Sequence, residues 1–202
     1  MQDYKKIEIA TIDDLHQWLL KNHTAKQSVW LVRFKKSFTE NYITYDEIVD
    51  ELLCFGWIDS LPRKLDEQRT MLLISPRKAT SSWSKVNKEK AEKLILQSRI
   101  HKSGLLPIEL AKQNGSWSFL EDVDELKLPD DLTTELNKNP KALLFFENFP
   151  RSSKRGILEW IKNAKTPATR QKRILETVAK AENNIKANHP AGRDKGPVLR
   201  ED

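Results

Sequence analysis

A single cysteine, Cys54, stands among 202 residues. That excludes an internal disulfide framework and any cluster of thiolate ligands. Its neighbours Leu52, Leu53 and Phe55 mark it as a buried hydrophobe rather than a nucleophile. Glycine is nearly as scarce, at six residues, and no glycine-rich phosphate loop, dinucleotide fingerprint or nucleophile elbow is spelled anywhere. The four histidines, His16, His23, His101 and His189, share no metal-ligand spacing. No apolar run approaches the roughly 20 residues that cross a bilayer. The opening "MQDYKKIEIATIDDLHQWLL" places acids inside its apolar periodicity and has no small-residue cleavage site, so it reads as structure and not as a leader. These absences point to the cytoplasm, to no metal and no cofactor. No catalytic motif is present; an enzyme is left open but not demanded.

What is there is a soluble composition with a core. Apolar residues make up 38% and charged residues 32%, and six tryptophans call for packing rather than disorder. The length suits one sizeable domain, or one domain with a smaller helical lobe. The net charge of +6 is unevenly placed. Residues 1–149 hold 22 Lys+Arg against 23 Asp+Glu, and residues 150–202 hold 13 against 6, a net of +7. An acidic protein partner or nucleic acid would suit that asymmetry, as would a solvated basic face.

Local signals divide the chain. Thr11 with Asp14, and Thr44 with Glu47, are capping-box starts. The first leads to a Leu15, Trp18 and Leu19 stripe, the second to Ile48, Val49, Leu52 and Leu53, ended by Gly56. "SVWLVRFKK" (28–36) alternates as a strand with Trp30, Val32 and Phe34 on one face. "WIDSL" reads as a second strand that turns at Pro62 and returns through "RTMLLIS". Ser84 opens a helix over 85–99 with Ala91, Leu94 and Ile95 inward, closed by Gly104; Pro107 then suits the first turn of a short helix ending near Gly115. The expected architecture is α+β: a small, mainly antiparallel sheet with flanking helices over 1–120, then an acidic linker over 121–131. An all-helical basic lobe follows over 132–187, with Ile174, Val178, Ala181 and Ile185 inward on its last helix. Residues 188–202 have the composition of a disordered tail.

The densest stretch is "CFGWIDSLPRKLDEQRTMLLISPRKATSSWSKVN" (54–87). A strand runs into a basic, hydroxyl-rich loop, and a helix begins. Helix N-termini offer unpaired N–H groups to anions, and Arg77 can hold a phosphate or carboxylate through two parallel bonds. Ser84 adds a hydroxyl, Trp83 a stacking face, and Asn87 lies one turn into the helix. Trp57, Asp59 and Arg63 complete the candidate ligand set. Each has a structural reading too. Ser84 is accounted for by capping and Trp83 by a contact onto the first turn. Asp59, on a strand expected to be buried, needs a partner, for which Arg63 and Arg77 are the candidates. Asp59 is also the one general-base candidate. The adjacent carboxylates Asp66 and Glu67 point to opposite faces of a strand and make a poor acid–base pair.

A second basic region, "RSSKRGILEWIKNAKTPATRQKRI" (151–174), holds Arg155, Lys162, Lys165, Arg170 and Arg173. Such a patch suits a nucleic-acid backbone, although no recognition signature accompanies it.

The joint pattern of "FGWID", "SPRKATSSWSKVN" and "AKTPATRQKRI" resembles the YdeI/OmpD-associated, or bacteriocin-protection, family from about residue 18 to 180. The matching motif positions are Gly56, Trp57, Asp59, Arg77, Trp83, Ser84 and Asn87, then Trp160, Ala164, Lys165, Thr169, Arg170 and Arg173. "RIHKSG" (99–104) departs from the family's usual glycine and methionine. The resemblance implies a role linked to bacteriocin protection or stress and no established reaction. The combined expectation is an accessory protein binding a small anionic ligand at the 76–87 loop. Its alternatives are a nucleic-acid module on the basic C-terminal helices and an adaptor that binds protein alone.

Overall fold

The computed structural model describes residues 4–39 and 42–189. The chain forms two compact units, Met1–Phe119 and Leu120–Asp202. Residues 190–202, most of the expected tail, lie outside the described residues.

In the first unit the elements are β1 (Lys6–Glu8), α1 (Ile12–Asn22), β2 (Val29–Phe34), α2 (Tyr45–Cys54), β3 (Trp57–Lys64), β4 (Arg69–Pro76), α3 (Lys85–Leu96) and α4 (Lys102–Asn114), with a 3-10 turn at Lys36–Phe38. The four strands run in the order β1-β2-β4-β3. β1 pairs parallel with β2, and the other two pairings are antiparallel. Both capping boxes form. Thr11 Oγ1 accepts the Asp14 N–H at 3.2 Å and Thr44 Oγ1 the Glu47 N–H at 3.2 Å, while each acid accepts the cap residue's own N–H.

The core gathers Leu15 and Leu19 of α1, Ile48, Leu52 and Leu53 of α2, Leu31, Leu72 and Ile74 of the sheet, and Leu94 and Ile108 of α3 and α4. β2 corrects the expected pattern. Its core face is Val29 and Leu31, yet Trp30 and Val32 are buried as well. The Arg63 guanidinium lies 5.2 Å from the Trp30 ring centroid and covers it. A strand buried on both faces shows no alternation that names its inner side.

Pro62 is not a turn. It sits inside β3 at a register shift between Asp59 and Pro62. β3 is an edge strand, where a missing N–H costs no ladder bond. The chain reverses instead at residues 65–68. Asp66 Oδ1 accepts the N–H groups of Gln68 and Arg69 at 2.9 and 2.7 Å, and Oδ2 accepts from Arg69 Nε at 2.8 Å.

Gly104 does not close α3. That helix ends at Leu96, and Ser98 takes the left-handed conformation, with the Ser98 and Arg99 N–H groups bonded to Ile95 and Leu94 oxygens. Ile95 is accordingly exposed. Gly104 lies in the first turn of α4, which meets the end of α2 backbone to backbone. The His101 N–H donates to Cys54 O at 2.9 Å and Ser103 Oγ to Phe55 O at 3.1 Å. Two carbonyls at the end of α2 are thereby satisfied. Pro107, deeper in α4 than expected, has no N–H for Ser103 O, and that carbonyl is the atom Gly56 packs against.

The second unit comprises α5 (Glu121–Asp124), α6 (Asp130–Asn137), α7 (Pro140–Glu147), α8 (Arg151–Lys162) and α9 (Pro167–Ala181). α9 packs on α6, α7 and α8. Leu132, Leu136, Phe146, Ile157, Ile161 and Ile174 make the core. Asn139 caps α7 and Thr166 caps α9, each just before a proline. Ile185 lies beyond α9 and is 55% exposed, so the expected apolar stripe stops at Ala181. The acidic segment expected to link the lobes is part of this unit: it contributes α5 and a buried Val123. No helix of the described residues is long and apolar enough to cross a membrane.

Candidate functional site

The β4–α3 loop is tied down at several points. The Arg77 N–H donates to Gly56 O at 2.9 Å, and Asn114 Nδ2 donates to Ala79 O at 2.8 Å. The Trp83 N–H donates to Ser116 O at 3.3 Å, and the Trp83 ring packs 4.9 Å from that of Trp117. Ser84 Oγ accepts the Asn87 N–H at 3.3 Å and so acts as the α3 cap. Trp83 is 2% exposed, and its face is occupied by the Arg77 guanidinium, 3.6 Å from the ring centroid. It therefore holds the arginine and offers no open stacking surface.

Arg77 is the unusual group. It is 7% exposed. Nη2 donates to Ser82 O at 2.8 Å, while Nε and Nη1 are buried without a hydrogen-bond acceptor among the described residues. The Nε1 of Trp57, paired across the strands with Pro76, is buried without one too. Burial pulls the Arg77 pKa down to about 10, with the field of Asp59 acting against that pull. The guanidinium stays charged at neutral pH.

The expected Asp59–Arg77 pair does not form, and Asp59 reaches Arg77 through its field alone. Its hydrogen bond comes from the Tyr45 hydroxyl, at 2.6 Å. Burial and then the Asp59 bond push the Tyr45 pKa up, so this phenol is a donor and not a base. Asp59 and Tyr45 line a cleft of about 420 Å³ with Arg33, Ser60, Thr70 and Leu72. Arg33 donates to Ile43 O and stands 5.2 Å from the Tyr42 ring centroid.

A second cluster went unread. His16, His23 and His101 surround Phe55, with ring centroids 5.3, 6.5 and 5.2 Å from it, and His23 lies 4.8 Å from His101. His16 Nδ1 bonds Glu51 Oε1 at 2.6 Å, and Arg99 reaches Glu51 Oε2 at 3.4 Å. The seven-residue spacing of His16 and His23, two turns along one face of α1, was the available signal. Among the described residues no group of His, Cys, Asp or Glu has a geometry that would hold a metal ion.

The basic candidates of the second unit meet the acidic segment. Arg170 grips Asp131 with two bonds, of 2.6 and 2.9 Å; Arg155 bonds Asp124 and Glu159, each at 2.7 Å; and Lys162 bonds Asp122. Arg173 donates to Trp160 O and lies over that ring. The Arg170 bond holds the Asp131 carboxyl below its ordinary pKa. Of the five candidates for a nucleic-acid face, Lys165 is the exposed one.

Two family models match the chain. Residues 7–106 match a domain of unknown function, and residues 125–184 match the model described as bacteriocin-protection, YdeI or OmpD-associated. The two halves of the sequence resemblance thus fall in different models, with the Arg77 loop in the first. No curated protein and no solved structure matches the chain.

Proposed function

We propose, because residues 125–184 match the model described as bacteriocin-protection, YdeI or OmpD-associated, that the chain is an accessory protein of that protective kind, acting in the cytoplasm. Its first unit recognises a small oxyanion (phosphate, sulfate or carboxylate) through Arg77. The observation that carries this reading is a guanidinium, 7% exposed, with two N–H-bearing nitrogens lacking an acceptor. Burying a charge without a partner is costly, and buried polar groups are as a rule hydrogen-bonded. A structural arginine would normally face a carboxylate. Here Trp83 fixes the plane of the guanidinium, and an oxyanion oxygen at Nε, or one at Nη1, would supply a missing acceptor.

The test is thermal unfolding with phosphate and sulfate against chloride at equal ionic strength. At about 100 times its dissociation constant a bound anion adds roughly 2.7 kcal/mol. Arg77→Met is expected to fold without loss, since it removes a buried unpaired charge, and to lose the anion-specific shift. Arg77→Lys should keep part of it. An equal shift in wild type and Arg77→Met would reduce the effect to general salting-out and remove Arg77 from the function.

A further inference from the structure

We propose that His101 is a proton-sensitive cap on α4 which governs how firmly the Arg77 loop is held. His101 occupies the N-cap of α4, and its Nδ1 accepts the Ser103 N–H at 3.2 Å. An imidazole can accept at Nδ1 only while that nitrogen is unprotonated. A proton taken up there would turn to Ser103 Oγ, 2.9 Å away. The ring would then gain one bond, but the Ser103 N–H would lose its acceptor. A positive charge would also stand at the positive end of the helix.

The surroundings add to this. The His23 ring lies 4.8 Å away, Lys102 is the next residue in the chain, and His16 approaches from α1 across Phe55. The acid of the cluster, Glu51 of α2, is bonded to His16 and Arg99. Cys54, also on α2, is a thiol whose pKa burial pushes up to about 12, so it supplies no negative charge. Burial, then the charges of His23, Lys102 and His16, hold the His101 pKa below its ordinary value of 6.5. For a base held low in the folded state, full stability is present above the unfolded pKa. It is lost as pH falls below about 6.5.

The cap is linked to the loop through α4 itself. The start of the helix holds the end of α2, by the His101 N–H on Cys54 O and Ser103 Oγ on Phe55 O. Its far end and the following turn hold the loop, by Asn114 on Ala79 O and by Ser116 and Trp117 on Trp83. Trp83 in turn carries Arg77. Weakening the first turn of α4 loosens the buttress at its other end. The effect on anion binding rests on the reading of Arg77 above; the cap does not.

The experiment follows the imidazole Cε1–H signals of the full chain by NMR between pH 8 and 5, with His101→Asn assigning the His101 signal. Tryptophan-monitored melts of both proteins run alongside; five of the six tryptophans lie in the first unit. The His101 midpoint is expected below the roughly 6.5 of a free imidazole. Between pH 7.5 and 5.5 the wild-type Tm should fall by about 2–4 °C more than that of His101→Asn, whose amide caps without titrating. A midpoint at or above the free value, or parallel melts, overturns the cap. With sulfate as probe, the wild-type shift should shrink at pH 5.5 and that of His101→Asn should not. An undiminished wild-type shift overturns the coupling. A sulfate response absent at both pH values removes the Arg77 reading instead, while the cap stands or falls on the titration and the melts.

Discussion

A methyl group on Gly104 would lie 2.3 Å from Cys54 O and 2.8 Å from Leu53 O, both backbone atoms at the end of α2. Neither can swing aside as a side chain would. Gly104→Ala is therefore expected to cost about 2–4 kcal/mol, read as a lowered urea midpoint at unchanged slope. Gly156→Ala, a helical site with nothing within 4 Å, serves as its control and should be neutral or slightly stabilising. At this scale the sequence was informative wherever a residue's task is local. Thr11, Thr44 and Ser84 cap the helices that follow them, and Gly56 takes the positive φ its position demanded. It was uninformative where partners lie on different elements. Tyr45 meets Asp59 across α2 and β3, and three histidines converge on Phe55, although no spacing joins all of them. Arg77 was legible as a candidate, but its lack of a carboxylate partner was not.

Elements carry their own consequences. α6 presents Asp131 to Arg170 near the start of α9, and the bidentate bond keeps that carboxylate charged. A carboxyl held low by its partner contributes its full stability above its unfolded pKa and loses it as pH falls from there through its lower, folded pKa. Asp131→Asn should thus lower the melting temperature of the second unit at pH 7, less so in 1 M salt, and less so at pH 3. Equal losses at pH 7 and pH 3 would show that shape, not charge, makes the contact. Most helices were readable from caps and periodicity. The strands were harder: β2 is buried on both faces, and Pro62 interrupts β3, which as an edge strand tolerates a proline.

For the molecule as a whole, the basic surplus of the sequence suited a solvated face, or else an acidic partner or nucleic acid. The chain itself supplies much of that partner. Residues 121–131 carry six acids against one lysine. Three of those acids bond Arg155, Lys162 and Arg170, up to 40 positions away in the chain. Charge counted along a sequence does not show which charges fold onto one another. Where the protein is cut therefore matters. An excised piece beginning at residue 132 would lose the buried Leu120 and Val123 together with the counter-ions of three cations. One beginning at 125, where the family match starts, would keep Asp131 alone of those three acids. Starting at Leu120 keeps all of them, and that piece is the one expected to give a cooperative melt and dispersed amide resonances. The working boundary of the module precedes its recognisable sequence by about one helical turn.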